Sequence, residues 1–183
     1  MPSLSLQPIF LRPHPGSNPG CIDAIQVTLA HLVASELELT FVLRGDISKL
    51  RIPAPTKATR ADGLWQHTCC EAFIRAEGSP AYIEFNFAPS GQWQAYAFTD
   101  YRLGSLLEPA TDPQIECSVE PGRLTLTATL QSADLPAGNT LHIGLTAVLE
   151  SSGGDMAYWA LQHAIGKPDF HHPDTFALDI ELK

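Results

Sequence analysis

Residues 64–102 read LWQHTCCEAFIRAEGSPAYIEFNFAPSGQWQAYAFTDYR, and this stretch decides the fold. Apolar and polar residues alternate through three runs of it, which is the two-residue period of a β-strand with one buried face. The segments Glu77–Pro80 and Pro89–Gly91 separate the runs, and their glycine and proline favour tight turns. The stretch therefore predicts three antiparallel strands joined by short turns.

The middle run, residues 82–87, shows the alternation most sharply. Ile83, Phe85 and Phe87 lie on one predicted face, and Glu84 and Asn86 lie on the other. Successive side chains of a strand point to opposite faces of its sheet. The pattern therefore predicts a core face and a polar face for the same sheet.

Shorter alternating runs continue on both sides of this stretch, and no segment has the sustained 3.6-residue period of a long helix. The further predicted strands are Leu4–Leu11, Ile25–Val33, Glu36–Arg44, Asp46–Ile52, Gln114–Val119, Arg123–Leu130, Leu141–Leu149, Met156–Leu161 and Phe176–Leu182. A hairpin turn is predicted at Ala34-Ser35, and a helical turn capped by Ser132 is predicted at Ser132–Pro136. Loops are predicted at 52–63, 104–112 and 166–173. Many short strands favour an all-β sandwich of two antiparallel sheets. With 183 residues, one core is expected, and thus a single domain over residues 1–183.

Composition and charge narrow the classes of partner. The formal net charge is −9 and the sequence pI is near 5.1. A nucleic acid or an anionic membrane needs a basic surface, so neither is an expected partner, whereas a neutral or cationic small molecule is compatible. We find no signal peptide and no apolar run long enough to span a membrane, and we expect a cytoplasmic protein with free thiols at its four cysteines.

Acidic and amide side chains on the three central strands form a candidate binding face. Glu71 shares a strand face with Cys69, and Glu84 and Asn86 follow on the next strand, with Tyr96 on the third. A carboxylate on a sandwich strand is costly unless it is paired or faces a wet cleft. The competing interpretation is that these side chains point to solvent from an open antiparallel sheet.

Trp65 and Arg102 flank this face in the sequence. An exposed indole ring stacks on the C–H face of a sugar, while charged groups bridge its hydroxyls. The sequence therefore predicts a non-catalytic module for a small saccharide or a similar polar metabolite, held by Trp65, Glu71, Glu84, Asn86, Tyr96 and Arg102. The alternative for Trp65 is an indole that closes one end of the core.

Two other functions remain open from the residues alone. Met156 with a histidine has the donor types of an axial haem ligand pair, although no metal-binding spacing such as HxH, HExxH or CxxC is present. His67 with Cys69 or Cys70 has the residue types of a thiol nucleophile and its base, without a recognisable oxyanion motif. The saccharide hypothesis implies no cofactor, and the haem hypothesis implies haem. Only the thiol–imidazole hypothesis implies an enzyme.

Three segments resemble a known family: LWQHTCCEAFI, EFNFAPSGQWQAYAFTDYR and DFHHPDTFALDIEL. They are similar to DOMON-like sandwiches related to family 9 carbohydrate-binding modules, in which a tryptophan stands six positions before a strand glutamate. The resemblance implies that Trp65 stacks on a sugar, that Glu71 accepts its hydroxyl protons, and that Arg102 is a basic group near the same cleft. It also implies a second stacking aromatic late in the chain, for which Trp159 is the candidate. Other DOMON relatives bind haem.

Overall fold

The computed structural model describes residues 4–5, 7–32 and 36–181. Strands dominate this part of the chain, and the only helical elements within it are single 3-10 turns. The strands are β1 (Leu4–Ser5), β2 (Ile9–Pro13), β3 (Ile22–Leu32), β4 (Glu36–Gly45), β5 (Cys69–Ala76), β6 (Tyr82–Phe87), β7 (Trp93–Asp100), β8 (Leu103–Leu106), β9 (Gln114–Glu120), β10 (Arg123–Gln131), β11 (Thr140–Glu150), β12 (Met156–Ala160) and β13 (Leu178–Glu181). Within the described ranges, no helix is long and apolar enough to cross a membrane.

The strands form two antiparallel half-sheets that share one strand. The open half-sheet has the order β3-β4-β10-β9, with β1 beside β3. The covered half-sheet has the order β8-β7-β6-β5-β11-β12, with β13 beside the first part of β11. Strand β2 joins them, because Ile9 pairs with Val27 of β3 and Pro13 pairs with Trp159 of β12. The predicted β-sandwich of antiparallel sheets is confirmed.

The core lies between the inner faces of the two half-sheets. Leu39 and Phe41 of β4 enter it from the open half-sheet, and Ile74 and Phe85 enter it from the covered half-sheet, all fully buried. Burying a side chain of this size stabilises the fold by about 1.5–3 kcal/mol. The face assigned to β6 is confirmed, since Phe85 and Phe87 belong to this core and Glu84 and Asn86 point away from it.

The predicted strands agree with the structure in most places, and three predictions are wrong. Asp46–Ile52 contains a 3-10 turn at Ile47–Lys49 rather than a strand, although Ile47 and Leu50 are buried. The predicted loop at 104–112 begins with part of edge strand β8. The turn at Ser132–Asp134 forms without a side-chain cap. The predicted turn at Ala34-Ser35 lies outside the described residues.

The outer faces of the half-sheets differ in burial. On β10 of the open half-sheet, buried and half-buried residues alternate, whereas six successive residues of β5 are buried on both faces. Residues 161–177, the covering segment, lie on the outer face of the covered half-sheet, where Phe170 and Phe176 pack against Phe73. Gly144 permits this approach, because a Cβ added there would stand 3.1 Å from the carbonyl oxygen of Thr175.

Candidate functional site

A cleft opens on the outer face of the covered half-sheet, next to the covering segment. Its volume is about 530 Å³, within the range of small-molecule sites. The floor contains Glu71 of β5 and Glu84 of β6. Aromatic side chains form most of the walls, and they are Trp65, Phe73, Tyr96, Phe98, Tyr158 and Phe170. The cleft therefore combines an apolar lining with a few polar groups at its base.

The two floor carboxyls are almost completely buried. Glu71 is 1% exposed and accepts a hydrogen bond at 2.7 Å from Thr146 Oγ1 on the neighbouring β11. Glu84 is 5% exposed, and its Oε1 accepts one at 2.6 Å from Asn86 Nδ2. Burial raises the pKa of both groups, and the charge of Glu84 raises the pKa of Glu71 further. At neutral pH the floor therefore retains a proton that exposed glutamates would have lost.

A row of polar groups leads from the Arg102 backbone through Tyr82 and His171 towards Glu84. The Tyr82 hydroxyl accepts from the Arg102 backbone N–H at 3.1 Å and lies 2.8 Å from His171 Nδ1. Burial, and then the charge of Arg102, lowers the pKa of His171 to about 4, so the imidazole is neutral. If the hydroxyl donates to Nδ1, the ring carries its proton on Nε2, which lies 3.8 Å from Glu84 Oε2. This tautomer satisfies the Tyr82 hydroxyl and His171 Nδ1, whereas 3.8 Å is too long for a hydrogen bond from Nε2 to Glu84.

Trp65 stands at the mouth of the cleft on a short, well-anchored turn. Leu64–Gln66 is a 3-10 turn that begins after Gly63, whose φ of 76° favours glycine. The indole is 42% exposed and meets the Tyr96 ring edge-to-face at 5.9 Å between centroids. The Tyr96 hydroxyl donates to Asp62 beside this turn. Trp65 and Glu71 both line the cleft.

Arg102 lies at the rim, in a strained backbone conformation. Its φ is 57°, the only positive value found at a non-glycine residue in the described ranges. The guanidinium binds Asp169 at 2.8 Å, and the hydroxyl of Tyr101 donates to the other oxygen of Asp169 at 2.6 Å. These contacts fasten the covering segment to the end of β7, so Arg102 both lines the cleft and holds its wall.

The structure corrects one predicted site residue. Trp159 is 3% exposed and belongs to the main core, with its indole N–H donating to the Pro19 carbonyl at 3.2 Å. Neighbouring side chains of a strand face opposite ways, so Tyr158 of β12 lines the cleft in its place. The other predicted residues meet at the cleft: Trp65, Glu71, Glu84, Tyr96 and Arg102 line it directly, and Asn86 bonds Glu84 beneath it.

Several cleft residues were missed in the sequence, most notably His171 and Phe170. The histidine- and proline-rich loop at 166–173 was the signal that marked them. Tyr158 was missed because the family resemblance pointed to Trp159, the next residue of β12.

The proposed thiol–imidazole pair does not form. His67 is exposed and its Nδ1 lies 2.7 Å from Glu150 Oε2, while Arg51 binds the other oxygen of Glu150. Cys69 and Cys70 are buried, and burial raises the pKa of both thiols. A thiol is nucleophilic as its thiolate, which such burial disfavours. All four cysteines are free, as expected.

The described part of the chain contains no group of three or more His, Cys, Asp or Glu side chains placed to hold a metal ion. The buried His14 and the half-buried His163 instead form an edge-to-face pair, 4.9 Å between centroids. His163 Nε2 lies 2.8 Å from the Arg12 carbonyl, and His14 Nδ1 accepts from the Gly16 N–H. The His163 bond joins the covering segment to β2, and the His14 bond stabilises the turn that follows β2.

Comparison with solved structures finds proteins of similar fold. A presumed carbohydrate-binding protein from Bacteroides uniformis ATCC 8492 aligns with a TM-score of 0.66 and 15% identity, over 92% of this chain and 83% of that chain. A family 9 carbohydrate-binding module from Caldicellulosiruptor kristjanssonii, in complex with cellotriose, aligns with a TM-score of 0.53 and 11% identity, over 87% and 74%. A family 9 module from the same organism, in complex with glucose, aligns with a TM-score of 0.52 and 11% identity, over 90% of this chain and 82% of that chain.

A scan of family profiles found no match to this sequence, and neither did a search of curated proteins. At 11–15% identity, the structural likeness shows a shared fold. The expected relation to family 9 modules is thus confirmed at the level of fold, and the DOMON relation stays a prediction.

Proposed function

We propose that this protein is a non-catalytic module that binds a small saccharide in the cleft on the covered half-sheet. The observation that carries the proposal is the position of Trp65, a partly exposed indole above a buried polar floor that contains Glu71. Sugar rings have apolar C–H faces and polar hydroxyl edges, and a ring beside carboxyl groups matches both.

The size and lining of the cleft agree with this ligand class. A volume of about 530 Å³ suits a ligand of one or two sugar rings, and the lining combines aromatic side chains with a few polar groups. Gln66 and Arg102 at the rim add amide and guanidinium donors for outward hydroxyls. Solved structures with this fold include modules in complex with glucose and with cellotriose, which supports the proposal by analogy of fold.

Binding without catalysis is supported by the state of the reactive side chains. The thiols are buried and protonated, and His67 is held by Glu150. Glu71 and Glu84 are the remaining acid–base candidates, and we assign them to hydrogen bonding with the ligand.

Calorimetric titration with mono- and disaccharides tests the proposal. We expect heat of binding with at least one sugar, and a loss of about tenfold or more in affinity in Trp65→Ala, since a stacked aromatic commonly contributes this much. Phe10→Ala is the matched control, because Phe10 is a 58%-exposed aromatic of β2 outside the cleft. The absence of heat with every sugar, or an unchanged affinity in Trp65→Ala, would contradict the proposal.

Haem binding is the second candidate, because Met156 and His171 line the same cleft. The histidine fits an iron poorly: Nδ1 is engaged by Tyr82, and Nε2 lies near Glu84 among the rings of Phe73 and Phe98. Haem would supply redox or gas-binding chemistry. Addition of haem to the purified protein tests this alternative, and the absence of a Soret band shift would end it.

A further inference from the structure

The cleft contains more acidic than basic groups, and this imbalance bears on which sugars it accepts. Among the described residues that line it, Glu71 and Glu84 are carboxyl groups, and Arg102 is the only lysine or arginine. The guanidinium of Arg102 already binds Asp169, 2.8 Å away. Burial raises the pKa of Glu84 and the charge of Arg102 opposes that shift, but this guanidinium is shared with Asp169, so the two floor carboxyls and one aspartate face a single cation in the described part of the chain.

Glu71 has an oxygen available for a ligand. Its Oε2 accepts from Thr146, while Oε1 receives no hydrogen bond from residues 4–5, 7–32 or 36–181. The side chain is 1% exposed and borders the cleft. A ligand in the cleft can supply the partner that this oxygen lacks among the described residues.

Glu84 also lacks a cationic partner within hydrogen-bonding distance. Asn86 donates to one of its oxygens, and His171 lies 3.8 Å from the other. The lowered pKa of His171 keeps this imidazole uncharged at neutral pH. A buried carboxylate recovers its desolvation cost only when it is paired, so an ionised floor requires a cation from outside the chain.

The walls favour a cation as well. The rings of Trp65, Tyr96 and Tyr158 line the cleft around the carboxyls, and ring faces attract ammonium groups, tryptophan most strongly. Resting on the proposed function, we infer that the preferred ligand is an amine-bearing saccharide, such as a 2-amino sugar, whose ammonium group donates to Glu71 and Glu84. Neutral sugars bind more weakly, and sugars that carry a carboxylate bind most weakly.

The ligand's ammonium group replaces the proton that the floor holds. Besides Arg102 with Asp169, the titratable groups near the two carboxyls are Cys69, Tyr82, Tyr96, Tyr158 and His171. Burial raises the pKa of the Cys69 thiol and of the Tyr82 and Tyr96 phenols, so these groups stay neutral near pH 7. Binding an amine therefore releases a proton from the carboxyl pair, whereas binding a neutral sugar does not.

Titration of the wild-type protein with glucose, glucosamine and glucuronate at neutral pH tests the inference. We expect glucosamine to bind about tenfold or more tightly than glucose, with glucuronate weakest. Repeating the titrations in phosphate and in Tris, which differ in ionisation heat, reports proton release, which we expect with glucosamine alone. Choline, an ammonium compound without a sugar ring, is included to separate the contribution of charge from that of the ring.

Glu71→Gln keeps a side-chain oxygen that can accept from Thr146 and removes the charge, so its preference for glucosamine over glucose should shrink to about threefold or less. Glu116→Gln, at an exposed carboxylate of β9 on the open half-sheet, is the control and should keep the wild-type preference. Equal affinities for glucose and glucosamine in wild type, or no proton release, would overturn the inference and leave the proposed function standing. Binding of choline with no binding of any sugar would overturn both, as would no binding of any of the four compounds.

Discussion

The two half-sheets have the same strand alternation and use their outer faces differently. On β10 of the open half-sheet, the outward threonines Thr125, Thr127 and Thr129 are half-buried and meet solvent. On β11 of the covered half-sheet, the outward positions Thr146 and Val148 are buried, and Thr146 donates to a floor carboxyl. Polar outward residues thus become a candidate site only where another segment of the chain lies over them.

The largest expected effect tests whether the covered half-sheet has a second core on its outer face. Phe73→Ala on that face should cost about 3–5 kcal/mol of unfolding free energy, as much as Phe41→Ala in the central core, because both rings are fully buried. Urea unfolding measures both. Thr129→Ala, on the outer face of β10, is the control and should cost about 1 kcal/mol or less. A loss in Phe73→Ala no larger than this control would contradict a packed cover.

A substitution at the contact between the covered half-sheet and the covering segment should have the next largest effect. Gly144→Ala places a methyl group 3.1 Å from the Thr175 carbonyl oxygen, so the covering segment must shift, at a cost of about 1–3 kcal/mol. Gly153→Ala is matched, since the nearest atom to its added Cβ lies at 3.5 Å, an ordinary contact. Thermal unfolding of the two variants should differ clearly, and equal midpoints would show that the approach at Gly144 is not tight.

The floor carboxyls should make the free energy of unfolding fall as the pH rises, which exposed glutamates do not do. Burial, and then the charge of Glu84, raises the pKa of Glu71 above its ordinary value of 4.5. The native state keeps a proton that the unfolded chain releases, so this stabilisation is complete below pH 4.5 and is lost as the pH rises through the raised pKa. Glu71→Gln should therefore gain stability relative to wild type between about pH 5 and about pH 9.

Urea midpoints at the two ends of that range measure this change. Glu116→Gln, at an exposed residue of the open half-sheet, should keep a constant difference from wild type. A constant difference in Glu71→Gln as well would show that the floor carboxyl ionises like an exposed one.

The smallest expected effect concerns the hydrogen bond between Tyr101 and Asp169 of the covering segment. Tyr101→Phe removes the hydroxyl that donates to Asp169 at 2.6 Å, and an exposed bond of this kind contributes about 0.5–1.5 kcal/mol. The Arg102–Asp169 pair remains, so we expect a loss at the low end of that range. Hydrogen exchange of the covering segment should rise, while exchange of β10 stays unchanged. Equal exchange in both regions would contradict a local role for this contact.

Sequence reasoning worked best where one face is buried and the other is polar. The strand at 82–87 was predicted with its boundaries and both faces, because Ile83, Phe85 and Phe87 alternate with polar residues. It was less successful where the pattern fits two structures. Ile47 and Leu50 are three residues apart, and their burial is satisfied by a 3-10 turn as well as by a strand end.

Two parts of the structure, β8 and the covering segment, were beyond local sequence patterns. The edge strand β8 is exposed along its whole length, so it has no alternation of burial to reveal it. The covering segment is irregular, and its position on the sheet depends on contacts with β5 and β6, which are distant in sequence. Trp65 and Glu71 were found together because six residues separate them, whereas His171 reaches the cleft from 100 residues away.

The bond between Glu71 and Thr146 has a consequence for folding kinetics. It joins residues 75 positions apart, across the pairing of β5 with β11, so the floor is complete only after a long loop has closed. Sandwiches dominated by such distant pairings fold in milliseconds to seconds. If this pairing forms after the folding transition state, the transition state has no complete binding site. A ligand that needs the complete floor then stabilises only the native state, so it will slow unfolding and leave the folding rate unchanged.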